Sequence, residues 1–467
     1  MPGNFRVLFS IFALLLLTQP RTAGAQSDRV DSCIDAQMSV RHIPGLALAV
    51  IRDGVPVKVR GYGLANIELN VPVSAQTVFQ SASIGKQFTA ALVMLLVEQG
   101  KIRLDEPIGR YLPNSPGTWQ NVTVRHLLTH TSGITDRTTD SVGVNFRSDY
   151  TEDQLLEKAQ HMPLDFRPGE KWAYSNTGYA LLGILVHKVS GKFYGDLLKQ
   201  YVFQPLSMES ARIMSDADIV PNRAAGYRLE KGEWKNQEWV SPSLNSTAAG
   251  ALYLSILDLM KWDAALASGK ILSKSSFEQM WSPVRLTNDS LHPYGFGWFL
   301  SPTNGRKTVY HSGGWQGFNN YIARYVDDGL TVILLTNLRP DNPGRIAQAV
   351  AGLYIPELAE RNPGIIPDRD PGFKPVVESI IGNPDTLYVK SELFTKETRS
   401  RAQSYLKTNR DLLNMFGPVH SVEMVGYKED GNGATLRYRV RYKASSRIAT
   451  ITRTKSGEIS SFSSAAE

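Results

Sequence analysis

Ser83 and Lys86 stand three residues apart in Ser83-Ile84-Gly85-Lys86, at the head of a run of good helix formers reaching Gln99. At that spacing both side chains leave one face of a first helical turn, which brings an amine within reach of a hydroxyl. The run behind them is apolar nearly all round, the mark of a buried helix. A lysine at the mouth of such a helix loses hydration, and desolvation lowers an amine's pKa toward values useful in a base. The chemistry that follows is a serine nucleophile activated by a lysine. The plainer reading makes Ser83 a helix N-cap and Lys86 a solvated charge, and Ser-x-x-Lys alone does not separate the two.

Other groups could join them. Tyr174-Ser175-Asn176 lies between the Pro168-Gly169 turn and an apolar helix that starts at Ala180, a rigidly mounted loop of the kind that carries reactive groups. A tyrosine that simply packs its ring and bonds its hydroxyl locally is the alternative. His311-Ser312-Gly313-Gly314 ends a β-prone run, and its glycines allow close backbone approach. His126 and His130 have a spacing that can bind zinc, but the metalloprotease glutamate and a third ligand are missing, so a structural role is expected and no metal or other cofactor. Gly85-Lys86 does not belong to a phosphate loop, because Gln80 and Gln87 occupy the positions that need Gly and Ser or Thr.

The elements that must hold these groups follow in order. Past a short polar lead, Gly45–Arg52 and Val55–Tyr62 are β-prone runs around Asp53-Gly54, a hairpin signal. The Ser83 helix comes next. Asn121–Ile134 reads as a short helix running into a glycine-bearing turn, and residues 151–200 as helical on either side of the Phe166–Tyr179 loop. Ser255 caps a helix over Ile256–Trp262. Strand patterns return at Tyr294–Leu300, Thr308–Gly314, Asn320–Tyr325 and Thr331–Asn337, with Asp327-Asp328-Gly329 turning between the last two. Strands first, helices in the middle and strands last give an α/β arrangement, the early hairpin joining the late strands in one antiparallel sheet.

Residues 26–360 would then be the main domain, and Pro, Gly and charge at 361–371 a linker. Beyond it, a helical segment at 398–415 and β-prone runs at 421–428, 434–443 and 447–454 predict a small α+β accessory domain over 372–467. Leu436, Tyr438, Val440 and Tyr442 alternate there with Arg437, Arg439, Arg441 and Lys443. That pattern reads as a solvated basic face guarding an edge strand, with an anion-binding strand as the alternative.

The 467 residues suffice for two or three domains, and 42% hydrophobic content is ordinary for a globular core. Net charge is +7, of which +5 falls in residues 371–467, too little to indicate a nucleic-acid partner. Arg6, the apolar run Val7–Thr18 and the small residues Ala23-Gly24-Ala25 read together as a secretory signal over residues 1–25. The run is shorter than the ~20 residues a spanning helix needs, and no later stretch reaches that length without charges. The expectation is an exported protein, periplasmic or extracellular, with no transmembrane span. Cys33 is the only cysteine, so no intramolecular disulfide forms, and Val30-Asp31-Ser32 before it does not suit a lipid anchor. The acceptor patterns at Asn121, Asn245 and Asn288 have meaning only in a eukaryotic secretory pathway.

Ser83-x-x-Lys86, Tyr174-x-Asn176 and His311-Ser312-Gly313 occur in that order. With them come Leu127-Leu128-Thr129-His130-Thr131-Ser132-Gly133, Ala249-Gly250 and Tyr294-Gly295-Phe296-Gly297-Trp298. On these motifs residues 35–355 resemble the serine β-lactamase, penicillin-binding protein and related esterase superfamily, in particular its class C-like branch. The resemblance implies a two-lobed fold, an antiparallel sheet flanked by helices beside a mostly helical lobe. It implies that Ser83 attacks a carbonyl and becomes acylated, and that Lys86 and Tyr174 share the proton transfers, a tyrosinate being stabilised by the lysine charge. Asn176 would hydrogen-bond Lys86 and a substrate amide. The N–H groups of Ser83 and Gly314 would form the oxyanion hole, with His311, Ser312 and Gly313 alongside the substrate.

One departure is His311, where β-lactamases of this branch carry lysine. Histidine is mostly neutral near pH 7, which leans toward the D-amino-acid peptidases and esterases of the superfamily. The expected function is an exported serine hydrolase acting through a Ser83 acyl-enzyme on an ester, a D-amino-acid peptide or a β-lactam amide. Its partner would be a small-molecule or peptide substrate, cell-wall-derived peptides included. A β-lactamase proper and a catalytically silent penicillin-binding or sensor protein are the alternatives. Keeping Ser83, Lys86 and Tyr174 together speaks against the silent one.

Overall fold

The computed structural model describes residues 22–136, 145–339, 342–360, 364–382, 393–399 and 417–466, apart from positions 246, 397, 432 and 443–445. Most of the expected signal, and nearly all of the expected helix at 398–415, lie outside the described residues. Helix α1 (Thr22–Arg41) occupies the stretch read as a polar lead. Its Val30, Ile34 and Met38 are buried at helical spacing, while Asp31 ties it to the sheet through ion pairs of 2.5 Å with both Lys58 and Arg60.

Strands β1 (Gly45–Arg52) and β2 (Val55–Asn66) form the expected hairpin. Asp53 at φ 51° and Gly54 at φ 79° are both left-handed, as a tight primed turn requires. A short β3 (Val71–Pro72) follows, and the chain then crosses into the helical lobe. There a 3₁₀ turn, Ala82–Gly85, runs into α2 (Lys86–Glu98), followed by α3 (Val124–Leu128), α4 (Glu152–Gln160) and α5 (Asn176–Ser190). Helix α6 (Ile256–Ser268) starts at a capping box in which Ser255 and Asp258 satisfy each other's backbone N–H. Strands β4 (Thr308–Trp315), β5 (Phe318–Tyr325) and β6 (Leu330–Thr336) return, and α7 (Pro343–Tyr354) follows them.

The main sheet has the order β4-β5-β6-β1-β2-β3 and is antiparallel throughout. Leu46 of β1 lies opposite Thr336 of β6, so the early hairpin and the late strands share one sheet, as expected. Alternation along these strands sorts two cores. Leu46, Leu48 and Val50 pack with Ile34, Ile346 and Val350 of α1 and α7. Ala47, Ala49 and Ile333 belong instead to a larger core with Trp262 of α6 and Phe88 of α2. The second face of the sheet is therefore continuous with the helical lobe, and the nucleophile turn lies at that junction. Tyr294–Leu300 is not the expected strand: it doubles back, Tyr294 bridging Phe299 and Phe299 bridging Tyr310.

Further on, α8 (Lys374–Gly382) packs on four sequential antiparallel strands, β7 (Val419–Asp430), β8 (Gly433–Tyr442), β9 (Ser446–Thr454) and β10 (Ile459–Ala466). They share a core of their own around Val377, Val422, Leu436, Tyr438 and Ile451. The serine-rich β10 has too few apolar residues to stand out in the sequence. Strand β8 lies between β7 and β9, which overturns the edge-strand reading. Its Arg439 is buried, and Arg441 pairs with Glu423 across β7 at 3.3 Å, so cross-strand partners rather than water hold part of that basic face. No helix among the described residues is long and apolar enough to cross a membrane.

Candidate active site

Ser83 is not the cap of α2. It sits inside the 3₁₀ turn, preceded by Ala82 at φ 48°, a left-handed conformation that L side chains resist. Residues three apart eclipse in such a turn, so the Ser83–Lys86 spacing does bring both side chains to one side, by a tighter geometry than an α-turn. Lys86 is fully buried, and its Nζ meets three oxygens: Ser83 Oγ at 3.1 Å, Asn176 Oδ1 at 2.8 Å and the Ala249 carbonyl at 2.6 Å. Burial lowers its pKa to about 7, with the charge of Asp136 pulling the other way. The two shorter contacts are to oxygens that can only accept, whereas a hydroxyl can also donate. A neutral Lys86 thus directs its two N–H bonds at Asn176 and Ala249 and its lone pair at Ser83.

Asn176 is the first residue of α5, which begins earlier than the apolar run at Ala180 suggested. Ser175 caps that helix, accepting from the Gly178 N–H at 3.0 Å. Asp136 accepts from the backbone N–H of Asn176 at 2.9 Å and from its Nδ2 at 3.1 Å, an anion at a helix N-terminus that also turns Oδ1 toward Lys86. Sequence reading missed Asp136, because it lies 40 residues from the helix it serves and no local pattern marks it.

Tyr174 hydrogen-bonds Ser83, and its ring centroid is 4.8 Å from Lys86 Nζ. Burial raises its pKa well above that of an ordinary phenol; the Ser83 hydrogen bond lowers it and Asp136 raises it further. This corrects the expected tyrosinate: at neutral pH the buried phenol keeps its proton and the amine is the group poised to lose one.

His311 does not reach the substrate side. Its Nε2 is 3.1 Å from Tyr294 Oη and its Nδ1 2.6 Å from the Ser312 carbonyl. Tyr294 Oη is also 3.1 Å from His130 Nε2, and His130 Nδ1 accepts from the Ser175 N–H at 3.1 Å. One hydrogen arrangement satisfies the whole line: His130 donates to Tyr294, Tyr294 to His311, and His311 to the Ser312 carbonyl. Burial, then the charge of Lys86, holds His311 at a pKa of about 3, so it stays neutral. The line braces the Tyr174–Asn176 loop against β4, which corrects the substrate-side reading of His311. His126 is used elsewhere, its Nδ1 accepting from the Thr123 N–H at 3.2 Å in the capping box of α3.

Gly313 explains how β4 approaches the nucleophile: a Cβ there would stand 2.3 Å from the Ser81 carbonyl and 3.2 Å from the Ser83 nitrogen. Ser83, Tyr174, Asn176 and Gly314 line one cavity of about 540 Å³, whose walls include Lys158, Trp315 and Arg339. Of the other sequence candidates, Lys86, His311 and Gly313 are buried away from this lining, and Ser312 is exposed on β4. The arrangement can carry out acyl transfer: a nucleophile, a neutral amine base, a phenol donor and room for a carbonyl compound.

Comparison with known proteins identifies the family. The family model Beta-lactamase matches residues 30–355. Penicillin-binding protein 4* of Bacillus subtilis is 34% identical over 302 residues, 60% of this chain and 65% of that protein, so the chain spans just under two thirds of that relative. The octameric penicillin-binding protein homologue from Pyrococcus abyssi superimposes with a TM-score of 0.64 at 25% identity, over 94% of this chain and 95% of that one. The D-amino acid amidase from Ochrobactrum anthropi gives a TM-score of 0.59 at 26% identity, over 67% and 91%. The chain belongs to the Beta-lactamase family, within the serine β-lactamase and penicillin-binding protein superfamily.

Proposed function

We propose that this protein is an exported hydrolase that forms an acyl-enzyme on Ser83, with D-amino-acid peptides, amides or esters as its substrates. The observation that carries this reading is the contact set of Lys86, whose lone pair in the neutral form has Ser83 as its only partner able to give up a proton. Ser83 Oγ attacks the carbonyl carbon while its proton passes to Lys86 Nζ. The oxyanion is held by the N–H groups of Ser83 and Gly314, each such donor being worth about 3 kcal/mol. When the tetrahedral intermediate collapses, Tyr174 gives its phenolic proton to the leaving nitrogen or oxygen and recovers one from Lys86. Water then releases the acyl group by the same steps in reverse. Asn176 keeps Lys86 aligned and has one Nδ2 hydrogen left for a substrate carbonyl.

The buried, neutral His311 supports the peptide, amide and ester reading over hydrolysis of β-lactams, because it offers no cation where β-lactamases of this kind have one. Likeness to a D-amino acid amidase points the same way. Export rests on the signal pattern of residues 1–25. We further read residues 26–360 as the catalytic domain and 372–467 as an accessory one. The separate core of the latter, and a family match that stops at residue 355, support that division. A fluorophosphonate probe, p-nitrophenyl esters, D-alanyl amides and nitrocefin on purified protein test the function. Labelling and turnover should vanish in Ser83→Ala, and a Ser83→Ala protein as active as the parent would overturn it.

A further inference from the structure

Lys86 works as a base only if its lone pair, and not one of its N–H bonds, points at Ser83. The groups behind it decide which. The Ala249 carbonyl can only accept, but Asn176 carries an amide, with an oxygen that accepts and an NH2 that donates. Turned one way, that amide takes an N–H from Lys86 at 2.8 Å. Turned the other way, it would offer its own N–H to the lone pair. Lys86 would then aim a spare N–H at the Ser83 oxygen and have nothing left to receive the serine proton.

The two orientations of an amide have nearly the same shape, so packing alone does not choose between them. Asp136 does. A carboxylate is acceptor-only. Its Oδ1 accepts from the backbone N–H of Asn176 at 2.9 Å and of Thr177 at 3.4 Å, and its Oδ2 accepts from Asn176 Nδ2 at 3.1 Å. A reversed Asn176 would set its oxygen against Oδ2, lone pair to lone pair. Asp136 also supplies the charge felt by the amine. Around Lys86, burial keeps the protons on Tyr174 and Tyr179 and holds His130 and His311 neutral, whereas the Asp136 carboxylate favours the ammonium form.

We propose that Asp136 is a positioning residue that sets the direction of proton flow: through Asn176 it fixes the hydrogen-bond polarity of Lys86, so that the amine takes the Ser83 proton instead of donating to the serine. Asp136 is not among the cavity-lining residues, so it acts on Lys86 and not on the substrate. This rests on the hydrolase reading above.

Asp136→Asn is the discriminating variant. Its oxygen can keep the two backbone N–H bonds, but its NH2 then faces Asn176 Nδ2, donor against donor, and the Asn176 amide turns over. The urea midpoint should stay near the parent's while kcat on a p-nitrophenyl ester falls about a hundredfold, the contribution of a positioned base. Asp136→Ala removes the backbone acceptor and leaves the amide free, so it should lose more stability and less kcat. A merely structural role predicts the opposite order. Asp136→Glu keeps charge and polarity and should recover part of the rate. Loss of the anion should also move the acid limb of kcat/KM in Asp136→Asn about one pH unit lower. NMR titration of 13Cε-labelled lysine then compares Ser83→Ala with Ser83→Ala/Asp136→Asn, where the Lys86 midpoint should fall by about the same amount. This arm needs no turnover, so it separates a wrong placement of Asp136 from a wrong mechanism. A kcat better kept in Asp136→Asn than in Asp136→Ala, or a Lys86 midpoint that Asp136→Asn leaves unmoved, would overturn the assignment.

Discussion

Titration of Lys86 offers the most direct test of the mechanism. Burial takes this amine from an ordinary 10.5 to about 7, worth about 5 kcal/mol against the charged form. About half of the molecules then carry a neutral base at pH 7, against roughly one in 3,000 for a solvated lysine. If the neutral amine takes the Ser83 proton, kcat/KM on a p-nitrophenyl ester should rise about tenfold per pH unit on the acid side and level off above about pH 7. At pH 5 it should lie about a hundredfold below the plateau. Histidine does not supply this limb from within the site, since burial holds both His130 and His311 neutral well below that range. The profile should be recorded from pH 4.5 to 9.5 beside Lys86→Arg, whose fixed charge removes the limb along with most of the rate. An acid limb centred below pH 5, or the same limb in Lys86→Arg, would refute the assignment of Lys86 as base.

The same shift has a sign for stability. The folded pKa lies below the unfolded one, so the charge penalty is fully present below pH 7 and fades as pH rises toward 10.5. Lys86→Met should therefore be more stable than the parent by about 2–4 kcal/mol at pH 6 and lose that advantage by pH 10, read from urea midpoints. Gly313→Ala forces β4 off the Ser81 carbonyl, and a displacement of that order should lower kcat/KM about a hundredfold on any substrate. Tyr294→Phe removes the hydroxyl between two buried imidazoles, which should cost about 2–3 kcal/mol in urea unfolding and lower kcat.

Much of the frame was legible because its signals are local. Asp53-Gly54 marked a hairpin, Ser255 a cap, and the period-2 runs at 308–337 three of the sheet strands. Ser83, Tyr174 and Asn176, recognised from motifs in order, line one cavity, and Lys86 lies buried behind them, bonded to Ser83 and Asn176. What failed to show depended on distant partners. Ser83 looked like a cap because sequence does not distinguish a 3₁₀ turn from the first turn of an α-helix. Tyr294–Leu300 has strand composition but folds back to aim Tyr294 between two histidines. His311 read as a substrate group because the resemblance to the family implies that place for the motif it heads, while the groups that bury it come from other segments. Asp136 carried no motif at all.

Lys86 draws on Asn176, 90 positions away, and on Ala249, 163 positions away, and the strand that carries Gly314 comes later still. Until those segments dock, the amine is hydrated, keeps its proton, and leaves the serine inert. Reactivity is thus a late product of folding rather than a property of the motif. A nascent or partly collapsed chain has no neutral amine beside Ser83, and the proposed nucleophile forms only once the segments that carry Asn176 and Ala249 have docked around Lys86.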